Sequence, residues 1–170
     1  DKMQERCKIG VVIGNANSPH AINIMKGIDQ ASKECDVQIM YFMNVSSPYT
    51  AQLYPTDTSI GWDYQKSAIY DYARYVKADV LIMTYGMMSI FMKSDYGKQY
   101  LEYFRNVPCV LINEQTDRPN WTSIIVDNYN GMYELVEHLV RDHGYHNFAF
   151  LAGPSGNTDA CQRKRAFLDV

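Results

Sequence analysis

The sequence predicts an α/β domain in which helices cover both faces of a parallel β-sheet. Two observations support this fold class. Short runs of aliphatic and β-branched residues, typical of strands buried on both faces, alternate with longer stretches whose apolar residues recur at helical spacing. The order strand–helix–strand–helix–strand–helix–strand implies parallel strands joined by right-handed crossovers. We expect the strand order 2-1-3-4-5, because a doubly wound sheet reverses direction beside its first strand.

The first half of the chain supplies three strands and the two helices between them. Apolar stripes around Ile24 and Ile28, and around Ile69 and Tyr72, predict these helices. Residues 44–62 are rich in Ser, Thr and Pro and show no period, so they predict a long loop that is either functional or an insertion. The predicted strands cover residues 8–13, 37–43 and 79–84.

A third helix and two further strands follow. Ser94 or Asp95 is expected to cap a helix whose inner face includes Tyr100. The apolar residues 86–93 before it are too short a stretch to assign. The predicted strands cover residues 109–112 and 123–126.

The end of the chain predicts a capped helix, a strand and the start of another helix. Asp127 and Asn128 have side-chain oxygens that can cap a helix, and Gly144 suits the left-handed residue that ends one. The apolar run 147–151 predicts a second buried strand, and a polar helix begins near Thr158. The first helix is defined by one apolar stripe: Met132, Leu135, Val136, Leu139 and Val140.

Three short motifs stand in order around these elements. They are VDN at 126–128, AGP at 152–154, and N-x-D-A-x-x-R at 157–163, shortly before Phe167. Together they resemble the LacI/GalR regulators. The chain also resembles the LacI-like sensor segments attached to diguanylate cyclases or kinases, at YQ 64–65, IYDY 69–72, GM 131–132 and VEHL 136–139. The resemblance implies a Rossmann-like parallel sheet of the type I periplasmic binding-protein fold.

The resemblance also implies two lobes. Residues 1–126 correspond to the first lobe, and residues 127–170 to the crossover and an incomplete start of the second. A whole sensor of this family holds a small-molecule effector between its lobes, so we expect the ligand site of this chain to be incomplete. We also expect a homodimer, because an apolar strand at 147–151 without its usual neighbours is an association site.

The net charge, the apolar runs and the cysteine content of the chain limit the functions that it can have. The net charge of −3 argues against nucleic-acid contact by this segment. No apolar run approaches the roughly twenty residues of a membrane span, and the polar N-terminus lacks the apolar core of a signal peptide. Four widely spaced cysteines are typical of reduced thiols. We therefore expect a cytoplasmic protein with no membrane partner, and the resemblance implies that it is bacterial.

Ligands of open α/β sheets bind at the carboxyl ends of the strands, so the polar residues that follow each strand are candidates. Asn15 lies in the turn after the first strand, and His20 stands near the start of the next helix. Thr84 and Asn113 end the third and fourth strands. The structural alternatives are an ordinary turn for Asn15, an exposed helix-start histidine for His20 and an Asx turn for Asn113.

Arg163 and Asp159 are the candidates beyond residue 127. The resemblance places Arg163 at the arginine that hydrogen-bonds the effector, and a guanidinium suits vicinal hydroxyls or a carboxylate. Asp159 lies on the same helical face and either accepts from the ligand or pairs with Arg163. Asp127 either accepts a ligand hydroxyl or, as we favour, caps its helix.

The sequence predicts no catalytic, metal or cofactor site. Gly10 and Gly14 are wrongly spaced for the G-x-G-x-x-G fingerprint of dinucleotide binding, and no third glycine follows. His138, His143 and His146 suit a solvated helix end better than a zinc site. No nucleophile elbow and no pair of carboxylates suited to joint burial is recognisable.

The favoured hypothesis is a module that senses a sugar or similar polar metabolite in a bacterial regulatory protein. Ligand-driven closure would report to a dimer partner or to an output domain, which is a DNA-binding helix-turn-helix, a cyclase or a kinase. Two alternatives stay open. One is an extracytoplasmic sugar-binding protein, and the other is an enzyme on a Rossmann-like or flavodoxin-like sheet.

Overall fold

The computed structural model describes residues 6–45, 64–88, 94–153, 155 and 157–170. Most of the long loop predicted at 44–62 lies outside the described residues. The chain divides into two compact units, Asp1–Ile125 and Val126–Val170. This division lies beside the boundary that the sequence suggests, and the assignment of the two units as lobes stays a prediction.

The first unit is built on a five-stranded sheet in which every neighbouring pair is parallel. Its order is β2-β1-β3-β4-β5, which confirms the predicted order and fold class. The strands are β1 (Cys7–Ile13), β2 (Val37–Met43), β3 (Val80–Met83), β4 (Cys109–Ile112) and β5 (Trp121–Ile124).

Local capping sets the ends of several helices. Ser18 Oγ accepts from the Ala21 N–H over 3.2 Å, and Asp127 Oδ1 accepts from the Asn130 N–H over 3.0 Å. Gly144 has φ +65° and is the left-handed residue just beyond α5. None of the described helices has the length and apolar character needed to cross a membrane. The helices are α1 (Pro19–Glu34), α2 (Tyr64–Asp71), α3 (Tyr85–Met88), α4 (Ser94–Tyr103), α5 (Asn128–Arg141) and α6 (Thr158–Asp169), and a 3₁₀ turn covers Tyr72–Arg74.

The sheet buries one apolar cluster on each face. Successive residues of a strand point to opposite faces, so Val11 and Val12 enter different clusters. Val12 packs with Tyr70 of α2 and Tyr100 of α4, whereas Val11 packs with Ala21 of α1. Helices therefore cover both faces, as the near-continuous apolar strands predict.

The strand β5 lies two residues earlier than the sequence suggests. Trp121 is 6% exposed and pairs with Cys109 of β4, whereas Ile125 and Val126 are 52% and 59% exposed. Pairing with β4 and burial of the indole set the position of the strand. The prediction followed the β-branched run at 123–126 and placed the strand too late, because amino-acid composition carries no information on strand register.

The predicted buried strand at 147–151 is wrong. The segment adopts no strand in the described structure, and Leu151 is 100% exposed. Phe150 instead stacks on Phe167 of α6, with 4.7 Å between ring centroids. A strand needs a neighbour for its backbone N–H and C=O groups, and an apolar composition does not supply one. The homodimer prediction that relied on this strand therefore loses that basis.

Candidate functional site

The turn between β1 and α1 lies against the backbone of α3. A Cβ atom on Gly14 would stand 2.6 Å from the Met87 carbonyl oxygen, so glycine is required at this position. The next residue, Asn15, has φ 51°, in the left-handed region that asparagine tolerates better than most residues. The dipeptide Gly14-Asn15 therefore gives the chain a sharp turn at the end of β1.

Thr84, the residue after β3, contacts the same turn. Its Oγ1 accepts from the Gly14 N–H over 3.1 Å, and its own N–H donates to the Val12 carbonyl over 3.0 Å. The residue is 1% exposed. Thr84 thus supports the turn from within the protein, and a direct ligand contact by its hydroxyl stays a prediction.

Asn44, the residue after β2, belongs to this edge and was missed by sequence reasoning. Its Oδ1 accepts from the Asn15 N–H over 2.7 Å, and its carbonyl oxygen accepts from the Ala16 N–H over 2.8 Å. Asn44 is 6% exposed, and its Nδ2 has no hydrogen-bond partner in the described part of the chain. A signal existed, because Asn44 directly follows a strand as the other candidates do.

His20 and Asn113 lie in contact at this edge of the sheet. Asn113 Nδ2 is 3.0 Å from His20 Nε2. Asn113 follows β4, has φ 60° and donates its backbone N–H to the Ile124 carbonyl over 2.8 Å. The Asn113 side chain therefore reaches across to α1, and the exposed His20 has a specific partner.

The amide nitrogen of Asn113 only donates, so this contact is a hydrogen bond when the His20 ring is the tautomer whose Nε2 accepts. A hydroxyl group can donate one hydrogen bond and accept others, so it can satisfy Nε2 and Nδ2 at once. The pair is therefore complementary to a neutral hydroxyl group.

Tyr85, the first residue of α3, directs its hydroxyl toward α4. A Cβ atom on Gly97 would stand 2.5 Å from the Tyr85 hydroxyl oxygen. Burial raises the pKa of Tyr85, and the Glu114 carboxylate raises it further. The phenol is thus protonated and packed against α4.

In the second unit, Arg163 is held by a buried asparagine. Its Nη1 donates to Asn128 Oδ1, and Asn128 Nδ2 donates to the Val126 carbonyl over 3.2 Å. Asn128 is 8% exposed, whereas Arg163 is half-buried. The bond to Asn128 uses one of the five N–H donors of the guanidinium. Arg163 is therefore oriented within its own unit.

The two predicted aspartates of the second unit differ in their surroundings. Asp159 lies half-buried in the first turn of α6 and forms no ion pair with Arg163 in the part of the chain that the structure describes. Asp127 accepts from the Asn130 N–H over 3.0 Å and from Asn130 Nδ2 over 2.7 Å. These two bonds lower the pKa of Asp127. Asp127 therefore caps α5.

The histidines near the end of α5 contact one another. His138 Nδ1 lies 2.6 Å from Asp142 Oδ2, and His143 Nε2 lies 3.1 Å from His138 Nε2. All three side chains are exposed. Within the described ranges, no group of three or more His, Cys, Asp or Glu side chains is placed to hold a metal ion.

Comparison with known proteins gives one sequence relative. No protein-family model matches the chain. The chain is similar to the probable HTH-type transcriptional repressor ExuR of Bacillus subtilis (strain 168), with 27% identity over 110 residues. The match covers 59% of this chain and 33% of that protein, so the chain spans about a third of this relative.

Solved structures share the fold over nearly the whole chain. The lac repressor dimer bound to operator and the anti-inducer ONPF matches with TM-score 0.66 and 19% identity, over 98% of this chain and 51% of that one. GanP, a glucose-galactose binding protein from Geobacillus stearothermophilus, matches with TM-score 0.64 and 18% identity, over 98% and 54%. The fold is therefore the LacI-like type I periplasmic binding-protein fold, and the chain spans about half of these structures.

Proposed function

We propose that this chain is the ligand-sensing part of a bacterial transcriptional regulator, and that its effector is a sugar or a similar small polar metabolite. The observation that carries the proposal is the contact between His20 and Asn113 at the carboxyl edge of a LacI-like sheet. Ligands of open parallel sheets bind at this edge. Asn15 and Thr84 lie at the ends of neighbouring strands of the same edge.

The hydrogen-bonding pattern favours a polyhydroxy ligand. A sugar hydroxyl can replace Asn113 as the donor to His20 Nε2 and replace His20 as the acceptor from Asn113 Nδ2. A carboxylate cannot do both, because it has no proton to donate to Nε2. This pattern supports a sugar over an anion at the His20–Asn113 pair. Arg163, which the family resemblance assigns to the effector, suits vicinal hydroxyls and carboxylates alike, so it does not discriminate between the two ligand classes.

The output of the regulator lies in other parts of the protein. ExuR is described as an HTH-type repressor, and the lac repressor structure as a dimer bound to operator. By this likeness we propose that the protein is a cytoplasmic homodimer with a DNA-binding output. A cyclase or kinase output, which the sequence left open, has no support among the relatives described above.

An extracytoplasmic sugar-binding protein is the second candidate function. GanP, a glucose-galactose binding protein, shares the fold with a TM-score close to that of the lac repressor. The sequence relative ExuR favours the regulator. An enzyme on this sheet is a weaker proposal, because the Ser18 and Thr84 hydroxyls at this edge accept from the backbone N–H groups of Ala21 and Gly14, as capping and turn-supporting residues do.

A thermal-shift screen of the intact protein tests the ligand class. The panel contains glucose, galactose, ribose and galacturonate, with NAD, ATP and FMN as the contrasting set. A ligand at a hundred times its Kd stabilises the folded state by about 2.7 kcal/mol, which gives a clear rise of the unfolding midpoint. We expect a rise with at least one sugar. A rise with nucleotides or flavin alone would contradict the proposal and favour the enzyme.

A further inference from the structure

Two exposed cysteines lie on adjacent chain segments at the amino-terminal edge of the sheet. Cys7 is the first residue of β1, and Cys35 follows the last residue of α1. Cys7 is paired with Val37 in the parallel register of β1 and β2. Neighbouring strands are separated by about 4.8 Å, and Cys35 stands two positions before Val37. The thiols therefore belong to adjacent chain segments.

A tight turn and an ion pair bring these segments closer. The Val37 N–H donates to the Cys35 carbonyl over 2.8 Å, which is the hydrogen bond of a γ-turn and shortens the path from Cys35 to the strand. Arg6 Nε lies 2.7 Å from Asp36 Oδ1. The ion pair thus joins the residue before Cys7 to the residue after Cys35.

Both cysteines lie on the face of the sheet that α1 covers. Cys7 and Ile9 are two residues apart in β1, so they share a face. Ile9, Cys35 and Val37 line one apolar groove together with Ile28 of α1. The side chains of Cys7 and Cys35 therefore lie on the same face of the sheet.

The other two cysteines differ from Cys7 and Cys35 in burial or in location. Burial raises the pKa of the Cys109 thiol to about 12, so Cys109 is unreactive at neutral pH. Cys161 is exposed, but it belongs to the second unit, where its Sγ donates to the Ser155 carbonyl over 3.2 Å. Cys7 and Cys35 are therefore the two exposed thiols of the first unit.

We propose that Cys7 and Cys35 form a dithiol–disulfide switch that responds to low-molecular-weight disulfides such as oxidised glutathione. One protein thiolate attacks a sulfur of the oxidant, forms a mixed disulfide and releases one glutathione thiolate. The second protein thiolate attacks the protein sulfur of that mixed disulfide and releases the other glutathione. The two protein thiols are oxidised to one disulfide, and one oxidised glutathione is reduced to two thiols.

A disulfide requires the start of β1 and the end of α1 to approach each other. Bridged cysteines have Cα atoms about 4.4–6.8 Å apart. The pairing of β1 with β3 starts at Ile9, so Cys7 is bound in the described sheet on its β2 side alone. The bridge would tie the start of β1 to the end of α1. Because the other end of α1 carries His20, oxidation would act on a helix of the candidate ligand site.

Peptide mapping of the intact protein tests the switch. The reduced protein is incubated with oxidised glutathione, its free thiols are alkylated, and it is digested without reductant. We expect a Cys7–Cys35 linked peptide that dithiothreitol separates. Closing the loop between the two residues should also raise the unfolding midpoint by roughly 4 °C or more. Cys161→Ser is the matched control and should keep both effects.

Single variants separate the switch from ordinary thiol reactivity. Both cysteines are exposed, so Cys7→Ser and Cys35→Ser should keep the fold. Each variant should stop at the mixed disulfide with glutathione and lose the rise in the midpoint. Wild type that also stops at mixed disulfides, that links Cys161 instead, or that forms the bridge without any rise in the midpoint would overturn the proposal.

Discussion

Asn113 and His20 are 93 residues apart in the chain, and their side-chain nitrogens lie 3.0 Å from each other. One follows the fourth strand and the other stands in the first turn of the first helix. The parallel sheet brings both to its carboxyl edge, where ligands of this architecture bind. The contact joins two candidate side chains at that edge, and the function proposed for the chain depends on it.

The close approach of Gly14 to α3 predicts opposite effects of two alanine substitutions. Gly14→Ala puts a Cβ atom 2.6 Å from the Met87 carbonyl oxygen, so it should lower the free energy of unfolding by about 1–3 kcal/mol. Gly27→Ala is the control, because the same atom meets open space within α1 and should raise it by about 0.5–1 kcal/mol. Urea denaturation measures both. Equal effects would show that β1 does not approach α3 as described.

Removing the hydroxyl group from two buried tyrosines should change the free energy of unfolding in opposite directions. The Tyr70 hydroxyl has no hydrogen-bond partner in the described structure, so Tyr70→Phe should raise the free energy of unfolding by about 1 kcal/mol. The Tyr100 hydroxyl donates to the Tyr70 carbonyl over 2.9 Å, so Tyr100→Phe should lower it by about 1 kcal/mol. Thermal or urea denaturation of both variants checks the signs. A loss of stability in both variants would mean that the Tyr70 hydroxyl has a partner.

The helix cap at Asp127 predicts that part of the stability of the protein depends on pH. Hydrogen bonds from Asn130 lower the pKa of this carboxyl in the folded state, so its contribution is present above its unfolded pKa of about 3.9. The contribution is lost as the pH falls through the folded pKa. Asp127→Ala should therefore lower the unfolding midpoint at neutral pH, and the difference from wild type should shrink on acidification. Asp127→Asn, which keeps an acceptor at every pH, is the control. A difference in unfolding midpoint between wild type and Asp127→Ala that does not change with pH would contradict the capping role of Asp127.

Arg163 should contribute strongly to effector affinity if the family resemblance holds. Arg163→Ala removes charge-assisted donors and should cost about 1.5–3 kcal/mol, which is roughly tenfold to a hundredfold in Kd. Arg165→Ala is the matched control, because Arg165 is an exposed arginine of the same helix. Unfolding curves of both variants must be compared, because Arg163→Ala also leaves Asn128 Oδ1 without its partner. Equal affinities of the two variants would remove Arg163 from the site.

The sequence predicted the sheet well because the decisive information is local and repeated. Apolar strands alternate with amphipathic helices, and right-handed crossovers leave few possible orders. The prediction of a strand at 147–151 was wrong because a strand needs a neighbouring strand, and apolar composition does not specify one. The shift of β5 has the same origin, since pairing with β4 and burial of Trp121 decide its register.

The candidate site was predictable in its location but not in its contacts. Asn15, Thr84 and Asn113 follow strands, and parallel topology brings strand ends to one edge. The contact between Asn113 and His20 joins residues 93 positions apart, and no local sequence pattern predicts such a pairing. Asn44 stands where a run rich in Ser and Pro begins, so the sequence places it in the predicted loop and not among the strand-end candidates.

Calorimetric titration of one sugar into the intact protein and two histidine variants tests the central claim most directly. The sugar is the member of the panel that raises the unfolding midpoint most. His20→Ala removes the acceptor beside Asn113, whereas His146→Ala removes an exposed histidine of the second unit and is the control. We predict that His20→Ala weakens binding roughly tenfold or more, while His146→Ala binds like wild type. Equal Kd values for the two variants would contradict a ligand site at the His20–Asn113 pair.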